Sequence, residues 1–295
     1  MTTRRQFIQT SMMTSIIPFI PSSVWGMAPV VDHATILNAV FANHWEKLPI
    51  GELMGKIGQL FLGTPYVGGT LEGDGPEVCR VRYDGVDCVT FFETVLALAR
   101  TIRSECRGES YVIAEVTRTR YRHGVVDGYL SRLHYTSDWI RDNITKKTVT
   151  DITEGDPLAE VFPVHVYFMS EHPQYYAPLK SDPTLVAAVT QIEVDLNAIR
   201  RWYVPKARVK SFESKLRTGD IVAITTAKAG LDYSHTGMIL VDEQGVARLM
   251  HASTTKKRVV IDASISEYLA SVSAHTGITV VRPLEPDTSC FGRVD

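Results

Sequence analysis

The segment that opens at Asp87-Cys88-Val89-Thr90-Phe91-Phe92 and runs on to Arg103 limits the fold of this chain more than any other. Asp87 is a good N-cap, because a short carboxylate can take the backbone N–H groups that no helical carbonyl reaches. Val89, Phe91, Phe92, Val95, Leu96, Leu98, Ala99 and Ile102 follow at helical spacing, apolar nearly all round in the first turns. A helix of that kind is a buried one. The spacing therefore predicts a buried helix from Cys88 to about Arg103. Cys88 falls in its first turn, where unpaired N–H groups and the helix dipole favour a thiolate. Taken alone, Cys88 also fits a small buried core residue.

A partner for that thiol is encoded far downstream. Thr218-Gly219-Asp220 opens the apolar run Ile221-Val222-Ala223-Ile224, and a loop leads to His235-Thr236-Gly237-Met238-Ile239-Leu240-Val241. Asp242-Glu243-Gln244-Gly245 reads as a turn, and Ala247-Arg248-Leu249-Met250-His251 returns. This is an antiparallel hairpin that sets His235 and His251 within about one residue of facing each other. They share a face only if the loop has an odd residue count or the strand a bulge, since side chains alternate. Under that condition His251 orients the ring of His235, and His235 takes the proton of Cys88, which is the arrangement of a cysteine hydrolase. The competing reading is two strand histidines satisfied by backbone.

The pieces Gly63-Thr64-Pro65-Tyr66-Val67-Gly68-Gly69, Val86-Asp87-Cys88, Thr218-Gly219-Asp220, Ser234-His235-Thr236-Gly237-Met238 and Met250-His251-Ala252-Ser253 occur in an order that resembles the NlpC-type papain-like peptidoglycan hydrolases. The resemblance implies an α+β, papain-like fold with a catalytic helix packed on an antiparallel sheet. It implies Cys88 as nucleophile, His235 as base and His251 as the orienting third residue. It also implies Tyr66 beside the nucleophile and substrate contacts at Asp87 and Ser234. A narrower resemblance lies in Tyr121-Arg122-His123-Gly124 and in Ser131-Arg132-Leu133-His134-Tyr135-Thr136-Ser137-Asp138-Trp139. These are similar to a branch, long catalogued as a domain of unknown function, whose members resemble N-acetylmuramoyl-L-alanine amidases. The implied reaction is cleavage of the amide between the muramic acid lactyl group and the first L-alanine of the stem peptide. Most relatives carry Asp-Cys-Ser-Gly where this chain has Asp87-Cys88-Val89-Thr90, a departure that fits the amidase branch.

Physically, His134, Tyr135, Asp138 and Trp139 suit a sugar or peptide contact, with Arg132 forking onto a carboxylate. A helix cap with packed aromatics explains the same residues equally well. Two other functions stay open at this level: a γ-D-glutamyl-diamino acid endopeptidase, and a non-hydrolytic wall-binding protein.

Thr3-Arg4-Arg5-Gln6-Phe7-Ile8 is a twin-arginine pattern, followed by an apolar stretch from Ser11 to Ile20. Pro18 and Pro21 interrupt it, and it is too short for a membrane span. Residues 1–28 are therefore read as an export signal for the twin-arginine machinery, and the protein as periplasmic or otherwise extracytoplasmic. Residues 29–295 are read as a single hydrolase domain with a long insertion at about 107–217 that walls the substrate cleft. The formal net charge of −2 argues against a nucleic-acid partner. No Cys-x-x-Cys or His-x-x-x-His pair appears, so neither metal nor cofactor is expected; His33, His44, His123, His165, His172 and His275 are scattered. With Cys88 kept free, Cys79, Cys106 and Cys290 allow at most one disulfide, and Cys79 with Cys106 is a plausible pair. Cys79 is a weaker candidate nucleophile, lacking the helix pattern behind it.

The remaining elements read as helix over 30–62, strand over Val164-His165-Val166-Tyr167-Phe168, helix from Asp182 to Arg200, strands at Val259-Val260-Ile261 and Ile278-Thr279-Val280-Val281, and a short helix from Ser264 to Ser273.

Overall fold

The computed structural model describes residues 33–287 of the 295-residue chain. The export signal read over 1–28 and Cys290 lie outside the described residues. Within them the chain is a mixed α+β fold built on an antiparallel sheet. Strands β1 (Val149–Asp151), β2 (Glu160–Val161), β3 (Trp202–Pro205), β4 (Ile221–Thr226), β5 (Tyr233–Val241), β6 (Ala247–Ser253), β7 (Arg258–Ser264) and β8 (His275–Pro283) pair in the order β2-β3-β8-β4-β5-β6-β7, with β1 also on β8. Every one of these pairings is antiparallel.

The central strand shows why the sheet is covered on both faces. All six residues of β4 are buried, and they alternate between two cores. Ile221 and Ala223 join the core that holds Phe91, Phe92, Val95 and Leu96 of the helix Cys88–Arg103. Val222 and Ile224 join a second core with Phe212, Ile265 and Leu269 on the other side. Gly51 and Gly219 bring the helix Ile50–Leu60 against the turn before β4: a Cβ on Gly219 would lie 2.4 Å from the Gly51 Cα.

The helix expected from Cys88 is present over Cys88–Arg103, and Asp87 caps it. Asp87 Oδ1 accepts the N–H groups of Val89 at 3.0 Å and Thr90 at 2.8 Å, and the Thr90 hydroxyl accepts the Asp87 N–H at 2.8 Å. Both halves of a capping box are thus made. The helix expected over 30–62 is instead two, His33–Ala42 and Ile50–Leu60, because Pro49 lacks the N–H that a helix interior needs. The strand expected at 164–168 is not one. Val166 makes a single parallel bridge to Gly230, and Phe168 already begins the short helix Phe168–Glu171. Around it a third core gathers Tyr135, Val166, Met169, Leu179, Val189 and Leu196, so packing within the insertion overrides the strand-like composition. The later helix runs Pro183–Asn197 with Asp182 as its cap.

Cys106 is disulfide-bonded while Cys79 is free, so the Cys79–Cys106 pair is not formed. Among the described residues no helix is long and apolar enough to cross a membrane.

Candidate active site

The β5–β6 hairpin pairs Met238 with Met250 and Val241 with Ala247 around the five-residue loop 242–246. The odd loop puts His235 and His251 on one face. Continuing the register sets His251 across from Gly237, so the two histidines are diagonal neighbours, two residues apart rather than one. Gly237 leaves the room: a Cβ there would lie 3.0 Å from the His251 Cβ. The rings meet edge to face, with His235 Nε2 2.6 Å from His251 Nδ1.

A second device joins this pair to the helix. The Thr236 hydroxyl donates to the Cys88 carbonyl at 2.8 Å, fixing the helix start one residue from His235. β5 is bulged against β4: Ile224 pairs with His235 but Thr225 with Tyr233, which leaves Ser234 as the extra residue. Cys88, Ser234 and His235 open onto one pocket. Its far wall comes from the stretch read as an insertion, through Tyr129, Arg132, His134, Trp139 and Tyr176.

The residues singled out from sequence thus separate. Arg132, His134 and Trp139 reach the pocket wall together with Cys88, Ser234 and His235. Arg132 is also paired with Glu72 at 3.1 Å and stacks over Tyr129, whose ring His134 meets at 4.3 Å. Tyr135, Asp138 and Asp87 are turned away. The Tyr135 hydroxyl donates to Glu193 at 2.6 Å, and Asp138 is gripped by both ends of the Arg122 fork. Asp87 is wholly buried in its capping role. Tyr66 sits half-buried on a parallel bridge to Val86, two residues before Cys88, and its N–H donates to the Lys257 carbonyl.

Two residues near the site were not anticipated. Asp262 lies 3.4 Å from His251 Nε2 and also receives Lys256 Nζ at 2.9 Å. The His251 hydrogen bond, with Lys256 helping, holds its carboxyl well below the usual carboxylate range. His275, read as scattered, stacks on Tyr268, whose ring also packs on His235 and His251. Sequence carries no signal for either contact, because the first depends on strand register across β6–β7 and the second on how the helix Ile265–Ser271 packs against the start of β8.

Burial pushes His235 well below its ordinary value, and His251 and His275 add to the effect. Burial also lowers His251, against the opposing pull of Asp262. His275 is pushed down to about 4 by burial, with Lys206 and His251 contributing. The unfolded chain takes up these protons near pH 6.5, whereas the folded chain refuses them until lower pH. Stability is therefore lost as pH falls through that window. Melting curves between pH 7 and pH 4 are expected to show a fall that His275→Gln flattens; an unchanged slope in the variant would rule out His275 as a source.

Among the described residues no cluster of three or more His, Cys, Asp or Glu side chains is arranged to hold a metal ion. The family described as AmiA-like, N-acetylmuramoyl-L-alanine amidase-like, matches residues 56–278. An N-acetylmuramoyl-L-alanine amidase from Bacteroides uniformis has a similar structure, with a TM-score of 0.74 and 37% identity, covering 80% of this chain and 99% of that one. A Bacteroides fragilis protein with a provisional xylanase name has a TM-score of 0.71 and 36% identity over 78% of this chain and 99% of its own. Protein LPG0564 of Legionella pneumophila, at 22% identity and a TM-score of 0.67, shares the fold over 87% of this chain and 96% of its own. No curated protein matches the chain. The match over 56–278 and the identity to the B. uniformis amidase place this chain in the AmiA-like family of N-acetylmuramoyl-L-alanine amidase-like proteins.

Proposed function

We propose that this protein is an NlpC-type, papain-like cysteine amidase that hydrolyses the N-acetylmuramoyl to L-alanine amide of muropeptides. One observation carries the reading: Cys88, at the start of a buried helix, and His235, whose ring is hydrogen-bonded to that of His251, open onto one pocket. Family membership and the B. uniformis amidase support the choice of bond.

The chemistry follows from the burial of the base. His235 is uncharged at neutral pH, so the thiol proton passes to it as attack begins. The Cys88 sulfur then adds to the amide carbonyl, and the positive end of the helix dipole steadies the oxyanion. His235 returns the proton to the leaving L-alanine nitrogen as the C–N bond breaks. It next takes a proton from water as the water oxygen adds to the thioester carbonyl; the C–S bond then breaks, the carboxylic acid leaves, and His235 returns the proton to the Cys88 sulfur. Trp139, Arg132 and His134 line the region where sugar and peptide would rest. The xylanase name of one relative suits this site poorly. Glycoside hydrolysis uses two carboxyl groups across the scissile bond, whereas the pocket carboxylates Glu93 and Glu72 are paired with Arg120 and Arg132. The twin-arginine pattern and the disulfide at Cys106 support action outside the cytoplasm by a single domain over 29–295.

Alkylation by iodoacetamide tests the nucleophile, with free Cys79 as internal reference. Burial raises the Cys79 thiol above its ordinary value. Cys88 is expected to react faster than Cys79 at pH 7, and His235→Ala to slow Cys88 alone. Equal rates at the two cysteines, or no effect of His235→Ala, would contradict an activated Cys88. Whether sugar separates from peptide in a defined muropeptide tests the bond itself.

A further inference from the structure

Asp262 on β7 takes no part in the steps above, yet it ends the chain of contacts that begins at His235. The 2.6 Å separation of His235 Nε2 and His251 Nδ1 has room for one hydrogen. Geometry alone does not say which ring owns it. If His235 donates, its Nδ1 is bare and can accept a proton. If His251 donates, the hydrogen of neutral His235 sits on Nδ1 and the pair has no base to offer the thiol.

The carboxylate removes that ambiguity. Asp262 Oδ2 faces His251 Nε2 at 3.4 Å. The same oxygen receives Lys256 Nζ at 2.9 Å, and Oδ1 receives the Ala263 N–H at 2.9 Å. With donors on both oxygens the carboxylate stays ionised and only accepts. His251 Nε2 must then carry the hydrogen, so His251 Nδ1 is bare and accepts from His235 Nε2–H. We infer that Asp262 is a positioning residue that fixes the tautomers of both histidines and leaves His235 Nδ1 as the nitrogen that accepts the thiol proton. The inference rests on the cysteine-amidase reading. Once His235 holds the second proton, its positive charge faces His251 and, beyond it, the negative charge of Asp262.

The test combines ¹⁵N-histidine NMR of the full chain with muropeptide kinetics. In the unsubstituted protein His235 should show a protonated Nε2 and a bare Nδ1. Asp262→Leu should move His235 toward the Nδ1–H form and lower kcat about 10- to 100-fold with KM unchanged. Asp262→Asn should keep the original tautomers and most of the activity. Two donors, Lys256 Nζ and His251 Nε2–H, face Oδ2 and only the Ala263 N–H faces Oδ1, so the amide oxygen would occupy the place of Oδ2 and still accept from His251. A protonated Nδ1 on His235 in the unsubstituted protein would overturn the inference. So would a folded Asp262→Leu whose tautomers and kcat match the unsubstituted protein. The expected tautomers, together with a shift in Asp262→Leu, would uphold the assignment even if no muropeptide were cut; that second result would count against the amidase reading alone.

Discussion

Cys88→Ala is expected to abolish muropeptide hydrolysis while leaving the fold intact. Cys88 is mostly buried, and the substitution removes one sulfur while the capping box of Asp87 and Thr90 and the apolar side chains from Phe91 onward stay in place. His235→Ala should do the same, and the double variant should be no worse than either, because nucleophile and base act as one unit. Each loss should reach about 10⁴-fold or more in kcat. His251→Ala should leave measurable activity, since it removes the group that orients the base and not the base itself. Circular dichroism separates lost chemistry from lost structure. Full activity in a folded Cys88→Ala would end the cysteine reading.

The largest expected effect on stability lies at Arg120. Its Nε donates to Glu93 at 2.8 Å, both side chains are 2% exposed, and Nη1 donates to the Arg80 carbonyl. Glu93 sits on the helix that starts at Cys88, and Arg120 closes the neighbouring helix Glu109–Arg120. Arg120→Met leaves Glu93 buried without its counter-charge, at a cost of about 3–5 kcal/mol. The thermal midpoint should fall by roughly 10 °C or more. Adding Glu93→Leu should recover much of the loss, because a well-packed apolar pair is often as stable as a buried ion pair. Thermal denaturation of the three proteins checks this. A double variant no more stable than Arg120→Met would show that packing, and not the stranded carboxylate, causes the loss.

The core of the site was legible because it obeys local periodicities. Asp87 and the apolar run behind it placed the helix start at Cys88, and the odd loop after Val241 put two histidines on one strand face. What was not legible depends on rotation about a helix or on strand pairing at a distance. Tyr135, Asp138 and Trp139 looked like one substrate cluster. On the helix Thr136–Thr145 and at its N-cap they point in different directions, so that Trp139 meets the pocket while Asp138 turns to Arg122 and Tyr135 to Glu193. Asp262 enters the site only through the β6–β7 pairing, whose register shifts between Arg248 and Met250. One further signal is present in the sequence itself. Glu93 stands in a helix apolar nearly all round, and a carboxylate buried there needs a cation. A buried cation facing Glu93 is therefore implied by the helix pattern, though not Arg120 by number.

The most direct measurement is mass spectrometry of the products formed from a purified disaccharide-tetrapeptide muropeptide. Free tetrapeptide and intact sugar are expected, both absent when Cys88→Ala is used. A dipeptide still attached to the sugar would contradict the assignment of the cleaved bond and mark the protein as an endopeptidase.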